Sequence, residues 1–186
     1  RRFEEAGFGP AGIEIGYCAA PGRVEVRLTS AAGDAETVNA AAARARELIG
    51  EFVFAEDRRL MEEVVAELLR EQGATLAVAE SCSGGLLGHR LTGLSGSSEY
   101  FIGGVVAYSN DVKMQQLGVR PGTLAQHGAV SEETAREMAA GVRAQLGSDF
   151  GVSITGVAGP TGGSEEKPVG TVFVAVADQA CTWARK

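Results

Sequence analysis

The residues most able to do chemistry lie in Glu80-Ser81-Cys82-Ser83-Gly84-Gly85. The short β-rich run Thr75–Ala79 precedes them, and an apolar helix from about Leu86 to Leu91 follows at once. A strand ending this way puts small polar side chains at the carboxyl edge of a sheet, where open α/β sheets bind ligands. The first-turn N–H groups of the helix are expected to point at the same place, with the two glycines admitting a substrate close to the backbone. Such a turn holds an anion, or supplies oxyanion donors beside a serine nucleophile. The spacing is not the G-x-S-x-G elbow. A serine-rich N-cap with structural glycines is the plainer reading, and residue types alone leave both open.

A serine nucleophile needs a base, and the chain has only His89 and His127. A lysine serves where burial or positive potential lowers its pKa. Tyr108-Ser109-Asn110-Asp111-Val112-Lys113 offers one, with Tyr108 expected at a strand end and Lys113 in the first turn of the next helix. The positive helix end there disfavours the ammonium form. An ordinary exposed helix lysine remains the alternative. A third segment is the long loop 156–170, which leaves a strand at Thr155 and carries Glu165-Glu166-Lys167 at its tip. Unstructured loops of that length in a compact domain are usually functional or disordered.

Other patterns are excluded. Gly7-Phe8-Gly9-Pro10-Ala11-Gly12 spells G-x-G-x-x-G, but no strand precedes it and a strand, not a helix, follows. It reads as a loop rather than a dinucleotide site. Three cysteines, Cys18, Cys82 and Cys181, are widely spaced without a C-x-x-C pair, so neither a disulfide framework nor a metal site is expected.

The elements that position these residues follow from periodicity. Ile13–Tyr17 and Arg23–Thr29 alternate as a β-hairpin, and Val38–Phe52 carries one apolar helical face. Residues 1–56 therefore read as a small α+β module. From residue 57 to 186, strands at Thr75–Ala79, Gly103–Tyr108, Phe150–Thr155 and Thr171–Ala177 alternate with helices. That pattern predicts a three-layer α/β/α domain with a mostly parallel sheet. Ser131 is the expected N-cap of the best-formed helix, which Gly147 stops.

Composition narrows the partners. Seventeen Lys and Arg against 24 Asp and Glu give a net charge of −7. Phosphate-backbone electrostatics are poorly supplied, so no nucleic-acid role is expected, and anionic lipid is an unsuited surface. No apolar run approaches a bilayer span, and Arg1-Arg2-Phe3-Glu4-Glu5 leads into no signal-peptide core. The expected location is cytoplasmic.

Taken together, four segments resemble the C-terminal domain of the CinA (competence/damage-inducible) family, the nicotinamide-nucleotide amidohydrolase or NMN deamidase. They are Ala79–Gly85, Gly104–Asn110 with Lys113, His127–Ser131, and Thr155–Pro160 continuing through Glu165–Gly170. The match runs in order over roughly residues 57–178, while residues 13–56 more weakly resemble the KH-like middle domain. The resemblance implies hydrolysis of the carboxamide of nicotinamide mononucleotide to nicotinic acid mononucleotide and ammonia, without metal or cofactor. It implies a catalytic set of Ser81, Tyr108 and Lys113, with substrate contacts at Ser83, Gly84, Gly85, Thr155 and Gly156, and a homodimer.

Two departures stand out. The family usually has Thr where this chain has Ser83, which keeps the hydroxyl. The family also continues with a Gly-Asp-Arg segment, whose arginine belongs to its active site, and a final helix. Here the sequence reads Trp183-Ala184-Arg185-Lys186, and Arg185 takes no such role by motif. The family's C-terminal end and its large N-terminal domain, linked to ADP-ribose pyrophosphatase activity, are thus expected to be missing. The contrasting expectation is a non-catalytic nucleotide-binding or regulatory module. Residues 13–56 lack the basic G-x-x-G loop of a true KH module, which weakens an RNA-binding role.

Overall fold

In the computed structural model, residues 2–186 are described, Glu4 by its backbone alone. The chain divides between Arg58 and Arg59 into two units. In the first, a short helix α1 (Arg2–Glu5) precedes the antiparallel strands β1 (Ile13–Ala20) and β2 (Arg23–Ser30). The Gly7–Gly12 segment is the loop between α1 and β1. Helix α2 (Ala35–Ile49) starts three residues before its apolar face does, because Asp34 caps it by accepting from the N–H groups of Glu36 and Thr37. Ala41 and Ala45 are its buried positions.

The second unit opens with α3 (Met61–Gln72), ended by Gly73 in the left-handed region. Next comes β3 (Leu76–Glu80), buried at all five positions. The chain continues through α4 (Leu86–Thr92), β4 (Phe101–Val106), α5 (Asn110–Leu117), α6 (Pro121–His127), α7 (Glu132–Leu146), β5 (Phe150–Gly156), β6 (Val172–Ala177) and β7 (Thr182–Arg185). The sheet order is β4-β3-β5-β6-β7, with β3 parallel to both neighbours and β5, β6 and β7 antiparallel in turn.

Alternation along β3 assigns its side chains to two layers. Leu76 and Val78 pack with Ala66, Leu69, Leu91 and Tyr100 on the α3–α4 side. Ala77 and Ala79 meet Leu117, Met138 and Val142 on the α5–α7 side. A central strand buried on both faces gives the near-continuous apolar run seen at Leu76–Ala79. The fold is α/β with helices on both faces of the sheet.

Helix α7 is the backbone of the second layer. Ser131 accepts from the Thr134 N–H at its start, and Gly147 closes its end at φ 66°. Helix α5 lies directly against it, because a Cβ on Gly141 would fall 1.9 Å from the Leu117 carbonyl oxygen. That close approach fixes the helix carrying Lys113.

Helix α6 and strand β7 have weak sequence signals. Pro121–His127 contains one large aliphatic residue, Leu124, and so shows no period. β7 is only four residues long, with Trp183 half exposed and Ala184 facing the α7 layer. Strand β4 also runs from Phe101 to Val106 rather than 103–108, so Tyr108 lies two residues beyond the strand end where it was expected.

Candidate active site

Ser81 and Lys113 come together at the carboxyl edge of β3. Ser81 follows the last residue of the strand, and its N–H donates to the Ile154 carbonyl of β5. Lys113 sits in the first turn of α5, whose N-cap Ser109 accepts from the Val112 N–H. The Lys113 side chain runs inward, is 1% exposed, and brings Nζ to 3.0 Å from Ser81 Oγ. Nζ also donates to the carbonyls of Ala107 at 2.7 Å and Tyr108 at 3.2 Å.

These three partners decide how the amine can act. An ammonium has three donors and no acceptor, whereas a neutral amine has two donors and one lone pair. Carbonyl oxygens only accept, so they hold the two N–H bonds of a neutral Lys113. The lone pair then faces Ser81, whose hydroxyl can donate to it. Burial pushes the Lys113 ammonium down from the usual lysine range, opposed by negative charge on Cys82. Among the described residues, no carboxylate hydrogen-bonds to Nζ.

The turn after Ser81 is built by a second buried ionisable group, Glu80, which is 1% exposed. Its Oε2 accepts from the N–H groups of Gly85 at 3.1 Å and Leu87 at 3.0 Å, and Oε1 from Gly88 at 2.8 Å. Burial alone would raise the Glu80 carboxyl; the Gly88 N–H, the Ser83 hydroxyl, and the Leu87 and Gly85 N–H groups outweigh it and hold it below the usual range. Ser83 Oγ stands near enough to favour that charge without a geometrically complete hydrogen bond, and is otherwise unpartnered. Gly84 and Gly85 adopt φ of 60° and 103°, which L side chains rarely enter.

This corrects the expectation that the first-turn N–H groups of α4 are free for a substrate. Gly85, Leu87 and Gly88 spend theirs on Glu80, and the Leu86 N–H goes to the Ser83 carbonyl. The backbone hydrogen bonds of the turn leave the N–H groups of Cys82 and Ser83 without a carbonyl partner. Those two N–H groups favour the charged form of the Cys82 thiol. Burial nevertheless raises the Cys82 thiol above its ordinary value, with these N–H groups and Lys113 acting against it. A raised thiol is a poor nucleophile at neutral pH, and the side chain that meets Lys113 Nζ is the Ser81 hydroxyl.

The remaining expected residues sit around this centre in different ways. Thr155 is fully buried, and its Oγ1 donates to the Ala129 carbonyl at 2.7 Å, tying β5 to the 128–131 segment. Gly156 lies beside the turn, where a Cβ would come within 3.1 Å of Cys82 Sγ. Tyr108 touches Lys113 through its carbonyl, while its side chain is 76% exposed. Glu80 is the functional candidate that sequence reasoning passed over; a glutamate ending an otherwise apolar buried strand was the available signal. Lys167 was read as part of a solvated tip, yet its Nζ donates to the His127 carbonyl at 2.6 Å and draws the long loop back onto α6. Among the described residues, no group of three or more His, Cys, Asp or Glu is gathered for a metal, and no helix is long and apolar enough to cross a membrane.

Comparison with known proteins places this arrangement. The sequence model of the CinA C-terminal domain matches residues 58–186. A CinA-like protein of Geobacter sp. (strain M21) is 49% identical over 167 residues, which is 90% of this chain and 40% of the relative. A putative competence-damage inducible protein of Moorella thermoacetica is 46% identical over 95% of this chain and 47% of its own length. The chain thus spans less than half of these relatives. Among solved structures, competence/damage inducible protein CihA from Agrobacterium tumefaciens superposes with a TM-score of 0.65 at 40% identity. That match covers 67% of this chain and 76% of the other. A CinA superfamily protein from Escherichia coli gives 0.64 at 31% identity, over 67% and 72% of the two chains. The chain belongs to the CinA family, through its C-terminal domain.

Proposed function

We propose that the second unit is an amidohydrolase that converts nicotinamide mononucleotide to nicotinic acid mononucleotide and ammonia. The observation that carries the reading is the 3.0 Å contact between buried Lys113 Nζ and Ser81 Oγ. Ser81 Oγ attacks the carboxamide carbon as its proton passes to neutral Lys113. Oxyanion charge develops next to the turn, where the N–H groups of Cys82 and Ser83 have no carbonyl partner. The Lys113 ammonium returns the proton to the departing nitrogen, releasing ammonia and leaving an acyl-serine. Water, deprotonated by Lys113, then cleaves that ester. The carbonyls of Ala107 and Tyr108 hold Nζ in place throughout.

The substrate assignment rests on the family resemblance of the four motifs, and Tyr108, Ser83, Gly84, Thr155 and Gly156 are the proposed surround of the pyridine nucleotide. Homodimer formation belongs to the same proposal. The test is ammonia release from nicotinamide mononucleotide by wild type, Ser81→Ala and Cys82→Ala. Turnover in wild type and Cys82→Ala, lost by several orders of magnitude in Ser81→Ala, is the expected result. A nucleotide-binding module without catalysis releases no ammonia. Loss in Cys82→Ala with retention in Ser81→Ala overturns the nucleophile.

A further inference from the structure

We propose that Glu80 is the positioning residue of the nucleophile turn: its carboxylate gathers the N–H groups of Gly85, Leu87 and Gly88 and thereby leaves those of Cys82 and Ser83 to face the oxyanion. This inference rests on the amidase reading. The carboxylate accepts three backbone N–H bonds at 2.8–3.1 Å. It does so from the residue immediately before Ser81, so one peptide unit links the anchor to the nucleophile.

Geometry explains why an anion is used. The Gly84–Gly85 backbone turns through left-handed conformations, and the N–H groups of Gly85, Leu87 and Gly88 converge on the Glu80 carboxylate. A carboxylate has two oxygens and about four acceptor sites, enough for all three. A carboxamide offers one oxygen and a donor NH2 group, which would face the Gly85 and Leu87 N–H groups or that of Gly88. Either orientation confronts donor with donor. The turn would then relax, and the Cys82 and Ser83 N–H groups would move with it.

Glu80 and Ser81 also point into different layers. Glu80 meets α4, whereas Ser81 meets Lys113 of α5. The Nζ contacts of Lys113 are to Ser81 Oγ and the carbonyls of Ala107 and Tyr108, whereas the Glu80 oxygens are taken by the N–H groups of Gly85, Leu87 and Gly88. The carboxylate therefore shapes the turn without holding the base in its ammonium form. That separation gives the readout: losing Glu80 lowers the rate but leaves the ionisation of the base where it was.

The experiment compares wild type, Glu80→Gln and Glu80→Asp by kcat, KM and pH–rate profile for ammonia release from nicotinamide mononucleotide. Melting temperature sets an assay temperature at which each variant is native. In Glu80→Gln, kcat falls about 10²-fold, the scale of a lost oxyanion donor. KM stays within threefold, and the pH midpoint assigned to Lys113 does not move. Glu80→Asp keeps the charge on a shorter stem and gives a smaller fall in kcat with the same unmoved midpoint. If Glu80→Gln yields no folded protein, Glu80→Asp is read by the same criteria. A kcat within threefold of wild type overturns the proposal, as does a KM rising as much as kcat falls. A shifted midpoint also overturns it, because Glu80 would then act on Lys113. Wild type that releases no ammonia refutes the amidase reading instead, which is a distinguishable failure.

Discussion

Replacing Lys113 by Met removes the proposed base and, with it, the donor to the buried Ala107 carbonyl and the part-buried Tyr108 carbonyl. Both consequences can be sized. A lysine of ordinary pKa near 10.4 is only about 0.04% neutral at pH 7, so the proposed chemistry depends on the depression that burial produces. General-base loss costs about 10²–10⁴ in rate, and Lys113→Met should fall in kcat by that order. Lys113→Arg keeps the charge, cannot give up its proton, and should be as inactive. The carbonyls of Ala107 and Tyr108 lose their Nζ partner in the Met variant. Leaving the buried Ala107 carbonyl unsatisfied costs about 1–3 kcal/mol, and the part-buried Tyr108 carbonyl less. Against this, the wild type carries the desolvation cost of a buried ammonium, about 1.4 kcal/mol per unit by which its pKa is depressed.

The pH dependence separates the two contributions. Because the folded-state pKa lies below the unfolded one, the ammonium penalty is present in full below the folded value. As pH rises toward about 10.4, folded Lys113 releases its proton before the unfolded chain does. The unfolded state then binds more protons, so wild-type stability gains relative to Lys113→Met across that window. Urea unfolding at intervals from pH 7 to 10.5, beside a pH–rate profile, measures both effects. The stability of wild type relative to Lys113→Met should rise with pH as that window is crossed. A constant gap would refute the depressed pKa, and near wild-type turnover in Lys113→Arg would show that the residue supplies charge alone.

Two more outcomes follow from contacts around the pair. Tyr108→Phe keeps the carbonyl that holds Nζ and removes only an exposed hydroxyl, so the pH midpoint of kcat should not move; a shifted midpoint would make the phenol part of the proton path. Gly141→Ala forces a methyl into the Leu117 carbonyl and should destabilise the domain by about 1–3 kcal/mol, read as a lowered urea midpoint; unchanged stability would mean that α5 shifts freely on α7.

The sheet and the Ser81–Lys113 pair were legible because their signals are local. Leu76–Ala79 is a continuous apolar run, Ser131 and Gly147 bracket α7, and Ser81 and Lys113 each stand where a strand end meets a helix start. Other features depend on partners distant in sequence. The acceptors of Nζ are main-chain carbonyls, which every residue has, so no residue type announced them. Lys167 looked like a loop charge because its partner, the His127 carbonyl, is 40 positions away. The Thr155 hydroxyl likewise reaches Ala129 across 26 positions. Tyr108 was misplaced because Gly103–Tyr108 reads as one strand, whereas pairing with β3 ends at Val106.

The placement of Glu80 and Lys113 on different sides of the Ser81 turn follows from the period of a strand. Successive side chains alternate between faces, so Glu80 continues the Leu76–Val78 side and Ser81 the Ala77–Ala79 side. Had the carboxylate shared the face of Ser81, it would have stood beside Lys113. An opposite charge within about 4–6 Å favours the charged form, and the amine would have stayed protonated. On its own face the same carboxylate meets three N–H groups instead, which keep it ionised without a cation. Lys113, in turn, finds carbonyls and a hydroxyl rather than an anion. A buried acid and a buried base thus coexist without pairing: the acid charged, the base disposed to be neutral. A carboxylate on the face of Ser81 would have paired with the lysine; with it on the other face, Lys113 is left with the contacts that the proposed base needs.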